Sequence, residues 1–182
     1  MSDNCQCGKR LIQATGDPNC KVILVGDRPG FEEYRTGYVL TGPTGNVLNT
    51  ELQRLGLARA ALRVTNLWGH EPDEKNQDEK DRHVRRLIAE LKGKTAAFFM
   101  GSDCAWEFAG MGVTDIFGIA VYPKSSRAKD GYKSGLLPSG LKFAVFAPNP
   151  AIVLQRSKMA VIGEFRDALS YFVGLCQKEK LL

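Results

Sequence analysis

No apolar run among the 182 residues approaches the roughly 20 needed to cross a bilayer. The opening stretch, MSDNCQCGKR, has no signal-peptide core. A soluble, cytoplasmic protein with no membrane association is therefore expected. Cysteine is sparse and odd in number: Cys5, Cys7, Cys20, Cys104 and Cys176. Five thiols without a secretory signal argue against a disulfide framework. No internal repeat and no interdomain linker is visible, so residues 1–182 read as one domain, with 1–20 an N-terminal arm. Neither sign of charge dominates: 25 basic against 20 acidic residues leave +5, a mild preference for a polyanionic partner. A monomer is expected.

The remaining chain alternates strand and helix signals, which predicts an α/β fold, a three-layer α/β/α sandwich around a mostly parallel four-stranded sheet. Strands are expected at Val22–Val25, Leu62–Leu67, Ala96–Met100 and Lys142–Ala147, with Gly118–Tyr122 a further apolar strand. Helices are expected at Asn46–Leu55, Asp78–Lys92, from the Gly101-Ser102-Asp103 cap to near Gly110, and at Met159–Gln177. Ile162, Phe165, Leu169, Phe172 and Val173 form the inward stripe of the last helix, and Cys104 and Cys176 read as core. Pro123–Leu137 reads as a polar loop.

Four segments leaving strand ends carry the chemistry. Gly26-Asp27-Arg28-Pro29-Gly30 follows the first strand, so Asp27 and Arg28 stand where open α/β sheets bind ligands. Leu40-Thr41-Gly42-Pro43-Thr44-Gly45-Asn46 opens a helix and suits an anion held by backbone N–H groups, although no Gly-Lys-Ser/Thr follows to make it a Walker loop. A plain glycine turn with an Asn cap is the structural alternative. Thr65-Asn66 offers an amide able to donate and accept along one edge of a pyrimidine, or to bond its own backbone. Ala147–Arg156 is stiffened by Pro148 and Pro150 and sets Ile152 and Leu154 beside Arg156 and Lys158, either as a wedge for a base stack or as a buried helix entry. Lys124–Lys133 adds four basic residues and Tyr132, a phosphate-contacting or simply solvated loop.

In this order the segments resemble the uracil-DNA glycosylase superfamily, its family 4-like branch above all. That branch reads Gly-Glu-Ala-Pro-Gly, then Gly-x-Pro-Phe-Val-Gly-x-Ala-Gly, a Thr-Asn strand end and a late His-Pro. Here the counterparts are Gly26–Gly30, Gly37–Gly45, Thr65-Asn66 and Asn149-Pro150. The resemblance implies an enzyme that flips a base from single- or double-stranded DNA and cleaves its N-glycosidic bond. It implies Asp27 and Asn149 as catalytic residues. It implies a base pocket of Gly26, Arg28, Pro29, Gly30, Tyr38, Leu40 and Asn66, with Leu40 where an aromatic residue stacks on uracil. DNA contacts would come from Gly42, Thr44, Gly45, Asn46, Leu154, Arg156 and Lys158. Asn149 stands where the branch has His and cannot become an imidazolium. Arg28, replacing a small residue, would hold Asp27 ionised or bind a phosphate, unless it pairs with Glu32 or Glu33. The branch's iron–sulfur cysteines are not reproduced: the N-terminal pair is too close and His70 fills a middle position. Cys5, Cys7 and Cys20 match zinc spacing poorly, so a frayed arm with free thiols, no metal and no cofactor is expected, with a structural metal on those three cysteines as the alternative. A weak or inactive DNA-binding relative, or an unrelated α/β enzyme acting on a phosphate ester, stays open.

Overall fold

The computed structural model describes residues 5–123, 137–150 and 159–182. Four parallel strands, β1 (Val22–Gly26), β2 (Arg63–Asn66), β3 (Ala96–Met100) and β5 (Phe143–Ala147), form the sheet. The two-residue β4 (Ala120–Val121) adds antiparallel to β5, so the order is β2-β1-β3-β5-β4 and the sheet has five strands where four were expected. Every residue of β1, β3 and β5 is buried, as befits parallel strands covered on both faces.

Alternation along the strands sorts the core into two layers. Val22, Leu24, Phe98, Met100 and Val145 face α2 (Pro43–Arg54) and α6 (Met159–Lys178), meeting Leu48, Leu52, Phe165, Leu169 and Phe172. Ile23, Val25, Ala97, Phe99 and Phe146 face α3 (Gln77–Leu91), α4 (Ser102–Ala109) and α5 (Val113–Ile116), where Phe99 stacks between Phe108 and Phe146. Cys104 and Cys176 are core residues, and of the expected α6 stripe only Ile162 is half-exposed. Each large apolar side chain so buried contributes about 1.5–3 kcal/mol.

Three expectations are corrected. A short helix, α1 (Phe31–Thr36), follows Gly30 where no element was expected, and Gly37 ends it at φ +84. The next helix, α2, starts at Pro43 on a Gly42 cap, so Asn46 lies inside it and caps nothing. The N-terminal arm is stitched rather than frayed from Ile12 onward: Ile12 N–H donates to Gly69 O at 2.7 Å, Gln13 N–H to Gly37 O at 2.8 Å, and Thr15 exchanges both backbone bonds with Val64 at 2.9 Å.

Register sets the site. Gly26 lies opposite both Asn66 and Met100, and Met100 opposite Ala147, so four strands end at one level. The chain leaves β1 toward β2 on one side and returns to β3 on the other, which makes the β1–β3 seam the topological switch point.

Candidate functional site

Asp27 follows β1 directly at that seam. Its carboxylate turns across to the start of α4, where Oδ1 accepts from Cys104 N–H at 2.9 Å and Oδ2 from Asp103 N–H at 3.3 Å. Asp27 thus does the work expected of the Gly101-Ser102-Asp103 cap, where the N-cap residue, Gly101, makes no side-chain capping bond. The approach is possible only because residue 101 is glycine: at φ +117 a β-carbon there would stand 1.9 Å from Asp27 Oδ2. Asp27 is 9% exposed. Burial pushes its pKa up to about 6, against the Cys104 hydrogen bond and with help from the Asp103 charge. Beneath it Cys104, whose thiol burial and the Asp27 charge hold well above the ordinary range, donates to Gly26 O at 3.5 Å.

Arg28 does not neutralise Asp27. Its guanidinium binds Asp103 Oδ2 at 2.5 Å and Glu71 Oε1 at 2.6 Å, with Glu74 Oε1 at 3.4 Å. Burial opposes its charge, but Asp103 and Glu71 outweigh burial and raise its pKa. The partners are therefore neither Glu32 nor Glu33, and the cation reaches the cavity already committed. Trp68 Nε1–H also donates to Asp103 Oδ2, at 2.6 Å.

A cavity of about 500 Å³ opens beside Asp27, lined by Arg28, Gly30, Phe31, Glu33, Leu40, Thr44 and Asn149 among others. Buried Glu33 ties two of its loops: Oε1 accepts from Thr41 N–H at 2.8 Å and Gly42 N–H at 2.7 Å, and Oε2 from Gly30 N–H at 2.9 Å. Leu40 sits at φ +50, uncommon for a side chain of its size, and Arg59 holds it there by donating to Leu40 O at 2.6 Å and Val39 O at 2.7 Å. Thr44 Oγ1–H donates to Asn149 Oδ1 at 3.1 Å, which marks Nδ2 as the donor end of that amide. Phe31 is 81% exposed on the cavity rim.

Behind the wall lies Asn66, 1% exposed, with neither Oδ1 nor Nδ2 hydrogen-bonded among the described residues. Its backbone is fixed: Arg86 donates to Asn66 O at 2.6 Å and Leu67 O at 2.9 Å. A β-carbon on Gly26 would lie 2.5 Å from Asn66 Oδ1 and 3.3 Å from Leu40 Cδ2, so the bare face of Gly26 brings that amide and Leu40 together.

With this geometry in place, comparison with known proteins is informative. The sequence model of the Uracil DNA glycosylase superfamily matches residues 13–172. The chain belongs to that superfamily. A Type-4 uracil-DNA glycosylase of Pyrobaculum aerophilum is 28% identical over 86 residues, 46% of this chain and 44% of the relative. The match thus spans less than half the length of that relative.

Within this superfamily member, Asp27, Arg28, Gly30, Leu40, Thr44 and Asn149 meet at one cavity. Gly26, Pro29 and Asn66 are buried and lie outside its lining, while Tyr38 is exposed at the surface. The anion site expected at the second loop is altered, because an internal anion, Glu33, already takes the Thr41 and Gly42 N–H groups. Gly45 is buried, and a β-carbon there would meet Leu40 O at 1.8 Å, so its role is close packing. Leu154, Arg156, Lys158 and the Lys124–Lys133 loop lie outside the described residues. Sequence reasoning missed Phe31, Glu33, Gly101 and Asp103. Gly101 had a signal, a glycine leaving an apolar strand just as Gly26 does, but it was read only as a helix cap.

Proposed function

We propose that this chain is a DNA glycosylase that hydrolyses the N-glycosidic bond of uracil or a modified pyrimidine flipped out of DNA. The carrying observation is the convergence of Asp27, Asn149 and Leu40 on one cavity at the carboxyl ends of parallel strands. Its size, about 500 Å³, suits a nucleobase with its sugar.

In the proposed reaction the bond from C1′ to the base nitrogen breaks, and its electron pair leaves on the base. The sugar becomes an oxocarbenium ion. Ionised Asp27 stabilises that cation and orients a water. The water oxygen bonds to C1′, its proton passes to Asp27 and then to solvent, and an abasic sugar and free base remain. Asn149 Nδ2 donates to the base oxygen on which charge grows. The unsatisfied Asn66 amide reads the donor–acceptor edge of the pyrimidine, once Leu40 gives way to admit it. Phe31 offers the flat apolar face that Leu40 lacks. Leu154, Arg156 and Lys158 fill and brace the gap left in the DNA, with Thr44 and Asn46 beside the phosphates, and the enzyme acts as a monomer.

A second reading, a slow or inactive DNA-binding relative, has its own support. Among the described residues lining the cavity, Arg28 is the one cation, and it is bound by Asp103 and Glu71. Losing one strong donor to the leaving group costs about 3 kcal/mol, or ~100-fold in rate.

A base-release assay separates the two. Single- and double-stranded oligonucleotides carrying uracil, mismatched thymine or modified cytosines are incubated with protein and cleaved at abasic sites by alkali. Strand breaks that vanish with Asp27→Ala support the glycosylase. Absence of breaks on every substrate, with salt-sensitive DNA binding retained, supports the binding domain.

A further inference from the structure

A second group of reactive side chains lies away from the cavity, where the N-terminal turn meets the segment after β2. Cys5 N–H donates to Lys9 O at 2.8 Å and Gly8 N–H to Cys5 O at 2.9 Å, and Gly8 at φ +82 closes the turn. This sets the Cys5 and Cys7 thiols beside His70, with the three ligand atoms all within 4.8 Å of one another. His70, Glu79 and His83 form a second such triad, so His70 belongs to both. His70 is 0% and His83 2% exposed. Cys7 Sγ lies 3.2 Å from His70 Nε2, and His83 Nε2 lies 3.2 Å from the same atom.

Those separations suit a shared ion. Nitrogens at about 2.1 Å and sulfur at about 2.3 Å around a tetrahedral zinc stand about 3.3–3.6 Å apart, close to the 3.2 Å contacts here. Thiolate and imidazole donors together favour zinc over harder cations. His70 Nδ1 lies 3.0 Å from Glu71 O and 3.6 Å from Glu79 Oε1, the outer-shell support that keeps a proton on Nδ1 and presents the Nε2 lone pair to a metal. The two imidazoles, their centroids 4.5 Å apart, are linked by hydrogen bonds: His83 Nδ1 accepts from Gly69 N–H at 3.2 Å, so His83 Nε2–H donates to His70 Nε2, and an ion bound at His83 Nε2 would take the place of that proton and end the Gly69 bond.

The iron–sulfur cluster of the family 4-like branch does not fit these donors. Such a cluster is held by four thiolates, and this group holds two. Cys104 and Cys176 are in the core, and Cys20 precedes β1, at the opposite end of the sheet from His70. A 3.2 Å contact between two histidines also leaves no room for a four-iron cube between them.

We infer that Cys5, Cys7, His70 and His83 bind a single zinc-class divalent ion, closing the two triads into one site with Glu79 behind it. The inference departs from the metal-free sequence expectation and does not depend on the glycosylase reading. The ion pins the N-terminal turn to the β2–α3 segment and to α3. Its effect reaches the cavity through the next residue, because Glu71 holds Arg28.

The test uses the untagged full chain, expressed with added zinc and desalted before elemental analysis and native mass spectrometry. The expected result is about one zinc per chain, without iron or acid-labile sulfide. Cys7→Ser and His83→Asn lose the ion, whereas Cys20→Ser keeps it. Chelation lowers Tm by about 5–10 °C and added zinc restores it. Cobalt replacing zinc gives thiolate-to-metal charge-transfer absorption, which decides the matter on the unaltered protein should Cys7→Ser fail to fold. Zinc-loaded protein that holds no ion, protein carrying several irons with sulfide, equal loss of zinc from Cys20→Ser, or a cobalt spectrum without thiolate bands would each overturn the inference.

Discussion

Two corners of the sheet's carboxyl edge are wired in opposite ways. At the β1–β3 seam the polar groups are satisfied: Asp27 accepts from two amides, and Asp103 holds both Arg28 and Trp68. At the β2 corner Asn66 keeps its backbone clamped by Arg86 and its side-chain amide without a partner among the described residues. Buried polar groups are nearly always paired, so an unpaired donor and acceptor on a fixed backbone mark a place prepared for a ligand. The seam is prepared differently, by holding a carboxylate in a poorly solvated place. On the proposed function, the first corner reacts and the second recognises.

The largest effect that tests this contrast falls on the seam. Asp27→Asn lowers base release by about 10²–10⁴-fold with DNA affinity retained, measured by single-turnover kinetics and filter binding. It also stabilises the fold at pH 8 by about 1–2 kcal/mol in urea unfolding, because the wild type there buries an ion. The sign follows from the raised pKa. The folded state binds the Asp27 proton more tightly than the unfolded chain, so this group favours the fold below about pH 4, and the contribution is lost as pH rises through about 6. Gly101→Ala is as inactive as Asp27→Asn but unstable, since its methyl group displaces the carboxylate.

A smaller effect separates the corners. Asn66→Ala lowers discrimination between uracil and cytosine substrates by about 10–100-fold while Tm barely moves, because its amide makes no hydrogen bond among the described residues. Glu33→Gln behaves in reverse: it costs about 1–3 kcal/mol of stability through three backbone N–H partners, with base preference unchanged. Equal loss of stability in both variants would remove the distinction between a prepared amide and a structural one.

The smallest effects lie on the apolar wall. Phe31→Ala weakens binding of a substrate-analogue oligonucleotide by about 1 kcal/mol, and Leu40→Phe strengthens it by a similar amount. No change with Phe31→Ala would leave the rim aromatic without a role.

The sheet, both helical layers and the position of Asp27 were legible in the sequence because parallel strands buried on both faces read as apolar runs and glycines follow them. α1 was not legible: Phe31–Thr36 is short, carries little apolar periodicity and follows a Pro-Gly pair that reads as a turn. The Arg28 network was not legible either, since Glu71, Glu74 and Asp103 are 43–75 residues distant in the chain. Asp27 read as a strand-end acid at a ligand-binding edge. Its burial and its role as the cap of α4 depend on the glycine at 101, which only the β1–β3 pairing brings near.

The most direct test of the central claim is the pH dependence of single-turnover base release from a uracil-containing oligonucleotide. A rate that rises with pH, turns over near pH 6 and is flat above it is expected for a buried Asp27 acting as the ion. A profile with no inflection between pH 5 and 7, or one that Asp27→Asn leaves unchanged, would contradict the account.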